Sequence, residues 1–222
     1  MKTTITLFLA MLLLPLGLFS QKAESQYIQW TGNDTIANAM VWRGIDHLMN
    51  VEREKAYTFF EAAVAHDPGL FAPHVVLANL SWGDKRKHHV EQAKKNVEGK
   101  NEVSKLYVSL LDVDWKESDA ADKNRDIWAK MYELAYDGAF VNFRYAMSRK
   151  DAKDRIMELE QLAGKLEKAN RNNGHVHNIL GYFYYAEGNK EKAKAHLDKY
   201  LELRPDSYNA YDSMGEFYFN EG

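Results

Sequence analysis

A chain of 222 residues, 45% hydrophobic and 27% charged, is long enough for a substantial core and too apolar for intrinsic disorder. Lys plus Arg total 29 against 32 for Asp plus Glu, a balance that gives no broad attraction to phosphate backbones, so no nucleic-acid partner is expected. The complete lack of cysteine removes disulfides, thiolate metal sites, cysteine nucleophiles and a lipid-modified N-terminal cysteine.

Taken in chain order, residues 1–20 read as a secretory signal. Lys2 supplies a short positive region, and Ile5 to Phe19 is an apolar run broken by Pro15 and Gly17. That run is short for a membrane span and no second one follows, so no stable span is expected after cleavage. Cleavage fits after Ser20, or after Ser25, where Ala23 and Ser25 are small. The expected location is therefore periplasmic or secreted. Residues 21–36 form an N-terminal segment ahead of the first periodic element.

From residue 37 to 222 a single period runs through the chain. Gly181 recurs as Gly215 at an interval of thirty-four, and each glycine is followed three positions on by a tyrosine, Tyr184 and Tyr218. Leu180 precedes the first glycine, and Ala193, Leu197, Tyr200 and Pro205 follow it at steps of four, three and five. Ala56, Phe60, Ala63 and Pro68 repeat those steps near the other end. Gly44 to Gly181, Ala56 to Ala193 and Pro68 to Pro205 all span the same distance, four such periods with a single position inserted. The residue types have a physical logic. Gly44, Gly181 and Gly215, with Ala56 and Ala193, let two helices approach closely. Pro68 and Pro205 end a helix and fix the turn that follows it. Asn189 is placed to cap a helix over Lys190 to Leu203.

This pattern resembles the tetratricopeptide repeat family, strongly over 37–70 and 174–222 and weakly over 71–173. The resemblance implies an all-α fold, a right-handed superhelical solenoid of antiparallel helix pairs with about five full repeats and a half repeat. Its phase puts the repeat starts at Ala37, Phe71, Lys105, Phe140, Gly174 and Tyr208, with the inserted residue near Gly138. In the middle, Val108, Leu111 and Trp115 are expected on one helical face, and Trp128, Met131 and Leu134 on another. Ile156, Leu159, Leu162, Ala163 and Leu166 also keep helical spacing, and the polar stretch from Trp82 to Val103 reads as a solvated helix. Gly222 falls where the first helix of the sixth repeat ends. Tyr211, Met214 and Tyr218 would then lack a second helix, so the expectation is a longer array or self-association through this C-terminal helix.

The resemblance also supplies a map of the concave groove. The positions it assigns there include Trp42, Asn79, Trp82, Arg144, Tyr145, Asn178, Tyr182, Tyr185, Asp212 and Glu216, as contacts for a protein or peptide partner. Some family members grip a carboxyl-terminal tail with several basic groove residues. Here Lys116 and Arg144 are the only basic groups at the mapped positions, so that mode is not expected.

Catalytic patterns are missing. The sequence holds no Gly-x-Ser-x-Gly elbow, His-Glu-x-x-His pair, phosphate-binding loop or dinucleotide fingerprint. Glu158 with Glu160 and Asp112 with Asp114 are spaced two apart, which divides each pair between helix faces. His175 and His177 are likewise two apart and poorly placed to share a metal, so no enzyme activity, metal or cofactor is expected. The expected function is an exported scaffold that binds an extended segment or a helix in its groove. The rival readings are a sensor or accessory portion of a larger signalling or envelope-assembly system, and a helical carbohydrate-binding or hydrolytic protein.

Overall fold

The computed structural model describes residues 25–222. The expected signal over 1–20 lies outside the described residues. Among those described there is no strand, and eleven α-helices follow one another: α1 Thr35–Met49, α2 Arg53–His66, α3 Phe71–Leu80, α4 Gly83–Asn96, α5 Glu102–Ser109, α6 Ala120–Leu134, α7 Ala139–Ser148, α8 Ala152–Lys168, α9 Gly174–Ala186, α10 Lys190–Leu203 and α11 Tyr208–Glu221. No helix among them is long and apolar enough to cross a membrane.

Short polar side chains start several of these helices. Asp34 accepts from the Ala37 N–H at 2.7 Å, Asn101 from Ser104 at 2.9 Å, and Asn189 from Lys192 at 3.1 Å, each relieving an amide that the helix leaves unpaired. Gly188, at φ +78°, ends α9 in the left-handed conformation that such a stop favours.

Neighbouring helices pack as hairpins, α1 with α2, α3 with α4, α5 with α6, α7 with α8 and α9 with α10, and α11 lies against α10. Two of these hairpins cross at a glycine. A methyl group on Gly44 would come within 2.9 Å of the Phe60 ring, and one on Gly181 within 2.7 Å of the Leu197 side chain. Gly164, inside α8, faces open space instead. The expected results therefore have opposite signs. Gly44→Ala should cost about 1–3 kcal/mol through overpacking, whereas Gly164→Ala should gain roughly 0.5–1 kcal/mol by helix propensity. Urea unfolding of both variants checks the pair.

The helix α3 is apolar on every side, and Phe71 through Ala78 are all buried between α2, α4 and α5. By contrast α4 buries only His89 and Ala93, so it is the solvated helix its polar sequence implies.

The third hairpin departs from expectation. Its first helix stops at Ser109 and passes through a single 3-10 turn, Leu110–Asp112, into a loop. Val113, Trp115 and Lys116 therefore lie off the helix, and Trp115 is exposed rather than aligned with Val108 and Leu111. The Asp114 carboxylate accepts from the Lys116 N–H at 3.0 Å, a local bond that competes with helix continuation.

Buried side chains form two clusters. One joins α1 to α6 with Val141, and includes Phe60, Phe71, Leu77, Tyr107, Trp128 and Met131. The other joins α7 to α11 around Leu159, Leu180 and Leu197, and Met49 from the end of α1 packs against it. The first helix thus belongs to both cores. Its Asp46 also receives two guanidinium nitrogens of Arg204, at 2.9 and 3.0 Å, from beyond the end of α10. First and fifth hairpins are pinned together.

Candidate functional site

The segment ahead of α1 is an extended strap laid on α5, α7 and the start of α1. Backbone and amide groups hold it at both edges. The Gln26 N–H donates to the Leu134 carbonyl at 2.8 Å, and Gln29 N–H to Ser104 Oγ at 3.1 Å. Asn101 Nδ2 donates to the Tyr27 carbonyl at 2.8 Å, and the Asn101 N–H to Gln29 Oε1 at 3.1 Å. Asn38 closes the strap by exchanging two 2.9 Å bonds with the backbone of Gly32. At its centre Trp30, only 6% exposed, has ring contacts with Phe60 at 6.4 Å, Tyr107 at 5.4 Å and Phe140 at 5.1 Å. The chain's own N-terminal segment thus covers part of α1, α5 and α7.

The mapped groove residues fall in four places. Trp42 is exposed on α1 beside the strap. Asn79 and Trp82 border an open trough of about 890 Å³ with Arg53, Tyr57 and Lys85, and the Trp82 indole is 84% exposed there. Arg144 and Tyr145 are engaged within the fold. The Arg144 guanidinium lies over the Trp128 ring at 5.4 Å, and Tyr145 stacks on Tyr132 at 4.3 Å. In the fourth place, on α9 and α11, Tyr182 donates to Glu216 at 2.8 Å and Tyr185 meets the Phe217 ring edge-on at 5.7 Å. Asn178 is buried in α9, while Asp212 and Glu216 line an open trough between α11 and the start of α2. The positions are therefore dispersed: Trp42, Asn79, Trp82 and Asp212 face open surface without a helix contact taking up the side chain, whereas Glu216 lines its trough while accepting from Tyr182.

The remaining signature residues split by environment. Ala56, Phe60, Leu180, Ala193, Leu197 and Tyr184 are buried, and Tyr184 donates to Glu160. Pro68 and Pro205 sit in exposed turns. Gly215 and Tyr218 are exposed on α11, and none of the described residues approaches the position of a methyl on Gly215.

Two histidine pairs each join the two helices of one hairpin. His74 Nδ1 and His89 Nδ1 are 2.9 Å apart between α3 and α4, and His177 Nδ1 and His196 Nδ1 are 2.9 Å apart between α9 and α10. Burial holds His74 and His177 down at about 4, and the neighbouring imidazole of each pair adds to the depression. His175 packs edge-on against Phe143 at 5.2 Å, apart from the His177 pair, and is also held down at about 4 by burial. Among the described residues no group of three or more His, Asp or Glu side chains is arranged to hold a metal ion.

Family models, curated proteins and solved structures return no match to this chain. The sequence reading missed the strap, the Asp46–Arg204 pair and the surroundings of His175. A signal for the first was present: Tyr27, Ile28 and Trp30 are an apolar group set before the turn residues Gly32, Asn33 and Asp34.

Proposed function

We propose that this chain is an exported, tetratricopeptide-type scaffold, periplasmic or secreted, whose stacked hairpins form a right-handed superhelix that binds a protein or peptide partner. The recurrence of a glycine crossing at Gly44 and again at Gly181 supports the repeat reading, because the same small-against-large contact is remade at the same phase. The observation that carries the binding reading is Trp82. An indole so exposed, flanked by Tyr57, Arg53 and Asn79, has the composition that dominates protein-binding surfaces, and none of the described residues covers it. With the strap seated on α1, α5 and α7, the Trp82 trough and the α11 surface are two open areas that a partner segment could use. The same α11 surface, with Tyr211, Tyr218 and Phe219 exposed, is where a second copy would attach.

A photo-reactive phenylalanine analogue in place of Trp82, expressed in the native envelope, should give one dominant cross-linked partner, and Trp82→Ala should retain that partner at least about tenfold less well. The same substitution should leave folding within ~0.5 kcal/mol, since it removes no buried contact. Unchanged retention by Trp82→Ala would overturn the assignment of this trough.

A further inference from the structure

The helix α11 has two working faces. Ala210, Ser213, Met214 and Phe217 are buried against the rest of the fold. On the opposite side Tyr208, Tyr211, Gly215 and Phe219 keep helical spacing and line a trough of about 1020 Å³, whose far wall is the start of α2. Tyr208 is 78% exposed there and Phe219 86%. Gly215 sits at the middle of this stripe, with Tyr211 and Phe219 one turn to either side. None of the described residues lies within 4 Å of the place its methyl would take.

The chain itself shows what such a glycine receives. Gly181 stands one period before Gly215, and the Leu197 side chain of α10 lies over it. Over Gly44 lies the Phe60 ring of α2. In both hairpins the glycine is a seat for a large apolar side chain from a second helix, and on α11 the same seat opens onto the trough. Charge then selects the kind of helix. Asp212, Glu216 and Glu221 lie on α11, which carries neither Lys nor Arg. The α2 wall adds Glu52 and Glu54, and the one base of the lining, Lys55, is 3.4 Å from Glu52 and lies over the Tyr208 ring. On their own these carboxylates would only be solvated. Beside a stripe of exposed rings they discriminate among apolar segments, favouring a cationic one. A second copy attached α11 to α11 would instead bring acids against acids.

We infer that α11 docks an amphipathic, cationic helix of a partner protein. A Leu or Phe of that helix sits on Gly215 between Tyr211 and Phe219, and its Lys or Arg residues run along the edges toward Glu54, Asp212 and Glu216. The inference rests on the reading of the chain as a scaffold for a partner segment, and it names what the α11 surface takes.

A synthetic peptide of leucine and lysine at helical spacing is the probe, titrated into the full chain and followed by fluorescence anisotropy. Each control keeps one property: leucine with glutamate keeps the apolar face, and alanine with lysine keeps the charge. The leucine–lysine peptide should saturate one site and bind at least about tenfold more tightly than either control. Gly215→Leu fills the seat at a position that no described residue crowds. It should weaken the leucine–lysine peptide at least about tenfold while the melting temperature holds or rises. Trp82→Ala should leave that peptide within about twofold, since Trp82 lies outside this trough. Retention of the native partner by Trp82→Ala tests the scaffold reading through a different residue, so the two failures are separable. Equal affinity for either control, binding unchanged in Gly215→Leu, or a tenfold loss in Trp82→Ala would each overturn the inference. So would a wild-type dimer in sedimentation that Gly215→Leu converts to monomer, because the occupant would then be a second copy.

Discussion

Trp30→Ala should be among the most destabilising single substitutions in this protein, costing about 3–5 kcal/mol. The indole comes from a segment with no regular secondary structure, yet it is 6% exposed and touches rings from α2, α5 and α7. Removing it leaves a void among Phe60, Tyr107 and Phe140 and unseats a strap otherwise held by backbone and amide hydrogen bonds. At this chain length each kcal/mol moves the melting temperature by roughly 2–4 °C, so the drop should reach about 6–20 °C. Calorimetry of Trp30→Ala beside Trp82→Ala makes the comparison within one residue type. Similar melting temperatures for the two would show that the strap is not part of the core.

Acid should weaken the fold well above the range where carboxylates protonate. In each interhelical histidine pair one ring nitrogen donates and the other accepts, an arrangement that fails once both rings are charged. His74, His175 and His177 are held near 4 in the fold, against 6.5 for an unperturbed imidazole. A depressed histidine means that the unfolded chain binds the extra proton first. Stability is therefore complete above pH 6.5, falls as the pH drops from 6.5 toward 4, and loses nothing further from these groups below that. For the well-buried His74 alone the loss is at most roughly 3 kcal/mol. His89 is lowered first by burial, and of the groups facing it Glu61 raises it while His88 and Lys85 lower it. Urea midpoints measured between pH 7 and 4.5 should decline steadily, and the double variant His74→Leu with His89→Leu should flatten part of that slope. A midpoint constant over this interval would contradict the neutral-pair assignment.

Helical character was legible because the apolar positions keep a period near 3.6 over long stretches, as in Ile156 to Leu166 and Leu180 to Leu197. The glycine crossings were legible for a related reason, since a residue without a side chain opposite Phe60 or Leu197 leaves a trace in the spacing. Other features leave no periodic trace. The early stop of α5 is followed by a 3-10 turn and by a local bond from the Lys116 N–H to the Asp114 carboxylate, neither of which has a periodic signature. Trp30 is one aromatic in an irregular segment, and its burial depends on Phe60, Tyr107 and Phe140, rings contributed by three later hairpins or their edges. At the candidate surfaces the mapped positions named residue types suited to binding, but helix packing had already engaged Tyr145, Asn178 and Tyr185. Which groove residues remain free is decided by contacts between hairpins, and a repeat signature describes contacts within them.

The bond between Asp46 and Arg204 alters the way this chain comes apart. A row of hairpins that touch only their neighbours can lose units one after another from either side, each loss leaving the rest untouched. Here the first hairpin is fastened to the fifth by that bidentate pair and by Met49 in the second core, so the five hairpins have no free margin from which fraying can start, and α11 alone lies outside the fastening. Unfolding should accordingly be concerted rather than stepwise. The fastening spans 158 residues of sequence, and the entropy spent in bringing such distant points together grows with the logarithm of their separation. Hairpins, whose contacts are local, are expected to form first, and the pin between the first and the fifth last.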